Sequence, residues 1–334
     1  MDRQLQDVPG DALRKSGDRT SKAILDDIEG ARALHRRVLN CCAQWAQQVK
    51  DREPIDLKQA EQLGVQIAGS VCRSPDTALF VAHVDNDLEF SHFFGAATLM
   101  AILARYLGMD QAQIEQAATA GLIHDIGHLM VDQIIVKRAG PLSYRETDSV
   151  SEHAKFGDFM LKEAGFEDEA IRHAVRHHHE RLDGSGYPDG LGKDELPLLT
   201  RMLSVVDAYD AMVRDQAYRR AMRASEVFAM LSNSLRGTFD LELLKSLEES
   251  VGSMPAGSLV RLNSGRLALV VSNEASKPTE PVVAAFYDID KGSTLEPELV
   301  DLAESKTEAI ESVETPGNWG VDVREHLQNL PIAN

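Results

Sequence analysis

Residues 110–127 read DQAQIEQAATAGLIHDIG. Asp110 is a natural N-cap, and Gln113 stands three residues on, where a capping box needs it. The apolar run behind them predicts a helix that ends on the doublet His124-Asp125, just before Gly127. The same helical grammar extends in both directions. Upstream, 94–107 reads as an apolar helix. Downstream, helices are predicted near 153–163, 167–178, 197–213, 225–236 and 241–250, with no β signal between Pro75 and Gly252.

Further out the pattern changes twice. Ile24, Ile28, Ala31, Leu34, Val38, Cys42, Trp45 and Val49 recur at steps of three and four, which makes 22–49 a long amphipathic helix. Its apolar face either packs on its own chain or pairs with a second copy in a homodimer. Another helix covers 57–71 and stops before Ser74-Pro75. After Pro255, Val260 and Leu262 alternate, Asn263-Ser264-Gly265 makes a turn, Leu267, Leu269 and Val271 alternate again, and 282–286 forms a short run. Two or three short strands follow from this, with a further strand or helix around 299–303. The expected organisation is mainly α: a disordered arm (1–21), a helical N-terminal region (22–73), a helical domain (74–252), a small β-rich extension (255–303) and an acidic tail (304–334).

Composition narrows the function. The chain has 334 residues and a formal charge of −18, with 43% hydrophobic and 26% charged residues. That is about two soluble domains, and the charge disfavours duplex nucleic acid and anionic lipid. No apolar run reaches the ~18 residues of a membrane span, and the polar N-terminus lacks the apolar core of a signal peptide. Cys41, Cys42 and Cys72 cannot make a disulfide framework, so they read as reduced thiols of a cytoplasmic protein.

Most of the eleven histidines fall between His83 and His179. His92, His124, Asp125, His153, His178, His179 and Asp207 each sit in, or at the end of, a predicted helix, and a bundle can aim such side chains at one interior point. A lone helical histidine is usually a packing or surface residue. The doublets His124-Asp125 and His178-His179 alter that balance, because adjacent buried imidazoles need a partner and a metal cluster supplies one. Two octahedral ions offer roughly twelve positions, of which these seven side chains, with Asp125 bridging, fill about eight. A bridging water takes about two and leaves about two for substrate oxygens, the layout of a two-metal hydrolase. Imidazole and carboxylate without thiolate suit iron or manganese, with zinc, nickel or magnesium as alternatives.

The segment HHERLDGSGYPDG, 178–190, is a loop by its three glycines and proline. Gly184 and Gly186 would let the backbone approach a ligand, and Tyr187 offers a ring to stack on a base. The competing reading is a plain turn with Tyr187 packed inside it.

His124-Asp125, with His178-His179-Glu180-x-x-Asp183-Gly184-x-Gly186-Tyr187-Pro188 downstream, resembles the HD-GYP family, a branch of the HD phosphohydrolases. Arg138-Ala139-Gly140-Pro141-Leu142 followed by His153 and Gly157, and the run Val206 to Met212, extend the resemblance over 74–239. The 257–287 segment is similar to a C-terminal extension of some members. The resemblance implies an HD-type helical bundle, a metal centre at the seven residues above, and hydrolysis of cyclic di-GMP to pGpG or GMP. Some members with three metals carry a glutamate four residues before the first histidine. Leu88 stands there, which favours two ions.

Two cationic positions also depart from the family. Its lysine after His-Asp-Ile-Gly, which meets the substrate phosphate, is His128 here. The arginine of its Asp-Arg-Pro-Tyr is Gln216, for which Arg214 or Arg219 could substitute. His128 is then a hydrogen-bond donor or general acid beside Asp125, a surplus ligand, or a surface residue. The first expectation is a metal-dependent phosphodiesterase. The alternatives are a catalytically weakened module that binds nucleotide or docks a diguanylate cyclase domain through its Gly-Tyr-Pro loop, and a phosphohydrolase for another nucleotide.

Overall fold

The computed structural model describes residues 21–85, 90–136, 140, 143–214, 222–233, 237–273, 277, 279–315 and 318–319. Except for Ser21, the expected N-terminal arm lies outside them, as do Leu88, Gln216, Arg219 and the tail beyond 319. The helices are α1 (Ser21–Asp51), α2 (Lys58–Arg73), α3 (Pro75–Val84), α4 (Ser91–Tyr106), α5 (Gln111–Ile123), α6 (Gln133–Val136), α7 (Tyr144–Ser151), α8 (His153–Glu163), α9 (Glu169–His177), α10 (Leu198–Val213), α11 (Ala224–Asn233) and α12 (Leu241–Val251). The protein is mainly α, as expected.

Helix α4 is the hub. Phe94, Leu99, Met100 and Leu103 have no exposed surface, because α1, α2, α3, α5, α10 and α12 all pack around it. Asp110 caps α5 through a full capping box with Gln113. The α5 helix ends as expected at the His124-Asp125 doublet, and 126–130 continues as a short 3-10 turn under α8. Gly127 is required there: a Cβ on it would lie 1.9 Å from the His153 carbonyl oxygen. That close crossing brings the end of α5 against the start of α8.

The amphipathic face of α1 is consumed within the chain. Ile24, Ile28, Ala31, Leu34, Val38, Cys42 and Trp45 are all buried, and Trp45 donates its indole N–H to the Asp56 carbonyl at 2.8 Å. Truncating such a tryptophan costs about 3–5 kcal/mol. Of the two readings of this helix, packing on its own chain is the one observed, with the apolar face against α2, α3 and α4 rather than open to a second copy. Helix α3 was not foreseen as a separate element. It is buried on every side, so it carries no polar stripe to set a helical period.

The C-terminal sheet is antiparallel, in the order β4-β3-β2-β1-β5, from β1 (Leu259–Leu262), β2 (Arg266–Ser272), β3 (Val282–Asp288), β4 (Ser293–Asp301) and β5 (Ile310–Val313). Leu267, Leu269 and Val271 join the helical core, while Ala268 and Val270 face a smaller core with Val260, Leu262 and Val283. Period-two alternation on β2 thus buries both faces. Strand β4 starts before the expected 299–303 element, and β5 lies in the expected acidic tail. Both are edge strands with exposed acidic residues, the composition that keeps sheet edges from pairing further and that also disguises them as tail. The sheet docks on α3: Asp76 accepts from Ser272 and from the Asn273 amide, and His83 donates Nδ1–H to the Ala256 carbonyl at 2.8 Å. No described helix is long and apolar enough to cross a membrane.

Candidate metal centre

The seven expected side chains meet at one point, from five places in the chain: His92 in the first turn of α4, His124 and Asp125 at the end of α5, His153 at the start of α8, His178 and His179 after α9, and Asp207 within α10. They divide into two groups, His92, His124, Asp125 and Asp207, and Asp125, His153, His178 and His179. Within each group the possible ligand atoms lie within 4.8 Å of one another.

Asp125 belongs to both. Its Oδ2 lies 3.6 Å from His124 Nε2 and 3.7 Å from His92 Nε2. Its Oδ1 lies 3.4 Å from the Nε2 atoms of both His153 and His178. Asp207 Oδ1 faces the first group, 3.2 Å from His92 Nε2 and 3.5 Å from His124 Nε2. Asp207 Oδ2 lies 3.8 Å from His179 Nδ1.

The outer nitrogens fix the tautomers. His124, His153 and His178 each donate Nδ1–H to the carbonyl three residues back, at 2.7–2.8 Å. His92 donates Nδ1–H to Asp210 at 2.6 Å. All four then turn Nε2 inward, the arrangement that metal-ligating histidines use. Electrostatics agree. Burial opposes the charge on Asp125 and Asp207, yet the surrounding imidazoles hold both well below the usual carboxylate range. Burial also opposes charge on His92, but Asp207, Asp210 and Asp125 outweigh it and push its imidazole up to about 10. Three carboxylates around one imidazole thus favour positive charge at this point, as a cation site requires. In the other group burial pushes His153 down to about 4, and His178 and His179 also down, leaving the neutral imidazoles a metal needs. Asp125 Oδ1, buried with no hydrogen-bond partner, fits a cation as well.

The remaining expected residues fall around this cluster. The His128 ring stacks on His153 at 3.9 Å, with Nε2 3.7 Å from Asp125 Oδ1, and burial lowers its pKa. Tyr187 stacks on His179 at 4.7 Å, so it packs against the cluster's rim. Gly184 takes φ +76°. A Cβ on Gly186 would lie 2.4 Å from the Glu180 Cα, so Gly186 serves the loop's own close packing. Arg214 departs from expectation. It is buried, donates Nε–H to Asp210 at 2.6 Å and Nη2–H to the Ala82 carbonyl at 3.1 Å. The salt bridge to a carboxylate with no exposed surface holds the guanidinium inside the protein.

Three residues beyond those seven shape the site. Asp210 holds His92. Glu180, 1% exposed, accepts backbone N–H bonds from Asp189, Gly190 and Leu191 and so closes the loop on itself. Asp189 is held in turn by Arg176 and His177. For Asp210 a sequence signal exists, since it follows Asp207 by three residues on α10 and precedes Arg214, just past the end of that helix, by four.

Helices that aim two histidine–carboxylate groups at a shared aspartate define an HD-type metal-binding domain. The family model of the HD domain matches residues 74–243, and that of a KOW domain associated with the HD domain matches 259–319. The chain belongs to the HD-GYP family of the HD phosphohydrolases. It is 31% identical over 300 residues to the cyclic di-GMP phosphodiesterase PA4108 of Pseudomonas aeruginosa, covering 89% of this chain and 72% of that protein. It is 32% identical over 165 residues to the 3'3'-cGAMP-specific phosphodiesterase 3 of Vibrio cholerae, covering 49% of this chain and 35% of that one. Bd1817, an HDG"Y"P protein of Bdellovibrio bacteriovorus, shares the fold with a TM-score of 0.56 at 18% identity, over 70% of this chain and 74% of its own.

Proposed function

We propose that this protein is a cytoplasmic phosphodiesterase that hydrolyses cyclic di-GMP to pGpG or GMP with two divalent ions, iron or manganese. The observation that carries the proposal is the division of Asp125, with one carboxylate oxygen toward each imidazole group. His92, His124 and Asp207 would hold one ion, His153, His178 and His179 the other, with Asp125 bridging. Ions there would supply Lewis-acid activation of water and neutralise charge on the phosphate. The cyclic di-GMP phosphodiesterase PA4108, similar along most of this chain, supports that substrate.

The protein's own side chains do the rest. The Nδ1–H bonds of the four histidines keep their Nε2 atoms aimed inward, so little reorientation of the rings is needed when cations bind. Tyr187 and the loop closed by Glu180 shape one wall of the nucleotide pocket. His128, neutral beside Asp125, donates a hydrogen bond to a phosphate oxygen where the family has a lysine.

A weakened module is the second reading, and the position of Arg214 favours it: among the described residues, Arg214 is turned inward and His128 is neutral, so neither supplies a cationic phosphate contact. Such a contact is worth about 1.5–3 kcal/mol. Manganese- or iron-loaded protein incubated with cyclic di-GMP, and separately with 3'3'-cGAMP, tests both readings by chromatography of the products. Steady conversion of cyclic di-GMP supports the enzyme. Binding without conversion supports the module.

A further inference from the structure

His124, His153 and His178 are positioned by backbone carbonyls. His92 is positioned instead by a side chain from another helix. It lies in the first turn of α4 and gives its Nδ1–H to Asp210 Oδ2 on α10 at 2.6 Å. The same Asp210 oxygen accepts from Arg214 Nε, also at 2.6 Å. Asp210 has no exposed surface, and a carboxylate so buried needs a charged hydrogen-bond partner to orient it. That partner needs room. A Cβ on Gly95 would lie 1.8 Å from Arg214 Nη2 and 2.8 Å from Asp210 Oδ1, so only glycine on α4 leaves space for the guanidinium between α4 and α10.

We infer that Arg214 and Gly95 form a matched pair of positioning residues that, through Asp210, hold His92 as a metal ligand. The inference rests on the two-metal reading above. Arg214 holds the Asp210 carboxylate in place, Asp210 accepts the Nδ1–H of His92, and Nε2 of His92 is left to face the centre. The fork of the guanidinium matters, since Nε serves Asp210 while Nη2 is tied to the Ala82 carbonyl of α3 at 3.1 Å. A lysine cannot make both contacts in one plane.

The test is calorimetric titration of the metal-free full chain with Mn(II) alone, on wild type, R214K, R214Q, G95A and H92A. Wild type should take about two equivalents, by the coordination count. R214Q and G95A should each weaken one equivalent by about ten- to a hundredfold, the usual cost of losing the partner of a metal-ligating histidine. R214K should recover part of the loss. The R214Q/G95A double variant should bind no worse than R214Q, because both changes remove one contact. In an H92A background R214Q should leave Mn(II) affinity unchanged, whereas a general loosening of the fold would lower it again. Folded R214Q and G95A that bind Mn(II) as wild type does overturn the inference, as does a further loss on adding R214Q to H92A. If R214Q fails to fold by circular dichroism, G95A and R214K decide by the same criterion. A wild type that binds no Mn(II) overturns the metal reading itself, a result distinct from variants that bind normally.

Discussion

The Nε2 atoms of His153 and His178 lie 3.2 Å apart, although each ring gives its Nδ1–H to a backbone carbonyl. With both protons spent outward, two lone pairs face one another in a buried space beside the unpartnered Asp125 Oδ1. A cation bound by both nitrogens would turn that repulsion into attraction.

Protein purified with manganese or iron should contain about two ions per chain by elemental analysis. Chelation should lower its melting temperature, since ions that bind only the folded state stabilise it. A metal-free preparation that melts at the same temperature with and without excess manganese would count against the site.

Asp125→Ala should lose metal and turnover together, because each Asp125 oxygen serves one group. The fold should persist, as the core around Phe94, Leu99 and Leu103 is built elsewhere. Full metal occupancy in a folded Asp125→Ala would exclude the bridging role.

His128→Lys should raise kcat/KM for cyclic di-GMP. Burial lowers the His128 pKa, so the ring is neutral at pH 7 and above and carries no charge to lose there. An ammonium in its place adds a charge-assisted hydrogen bond, worth about 1.5–3 kcal/mol or roughly tenfold and more in rate. The gain should be of similar size at pH 7 and pH 8. Equal kcat/KM for the two proteins, with unchanged metal content, would remove His128 from the phosphate.

Glu180→Ala should destabilise the protein by about 1–3 kcal/mol in urea titration, the cost of leaving polar groups unpaired. Three backbone amides of the loop lose their acceptor. Because Tyr187 rides on that loop and stacks on His179, KM should rise more than kcat falls. An unchanged KM would mean that the loop keeps its shape without the carboxylate.

The helical character of this protein, its strands near 259–272 and its cluster of histidines could all be read along the chain, because they depend on local periodicity, on capping at Asp110, and on the residue types grouped in the doublets. The departures from that reading have a common cause. Helix α3 is buried on every side, and edge strands β4 and β5 are exposed and acidic, so their periodicity or apparent polarity reflects neighbours distant in sequence. The same holds for Arg214. As a sequence it is one more cation near Asp207, available to a phosphate. In the folded protein Gly95, from a helix more than a hundred residues earlier, opens the space in which it pairs with Asp210. Whether a charged side chain serves substrate or scaffold is set by which partner it meets when both lose water, and only the packing of α4 against α10 decides that.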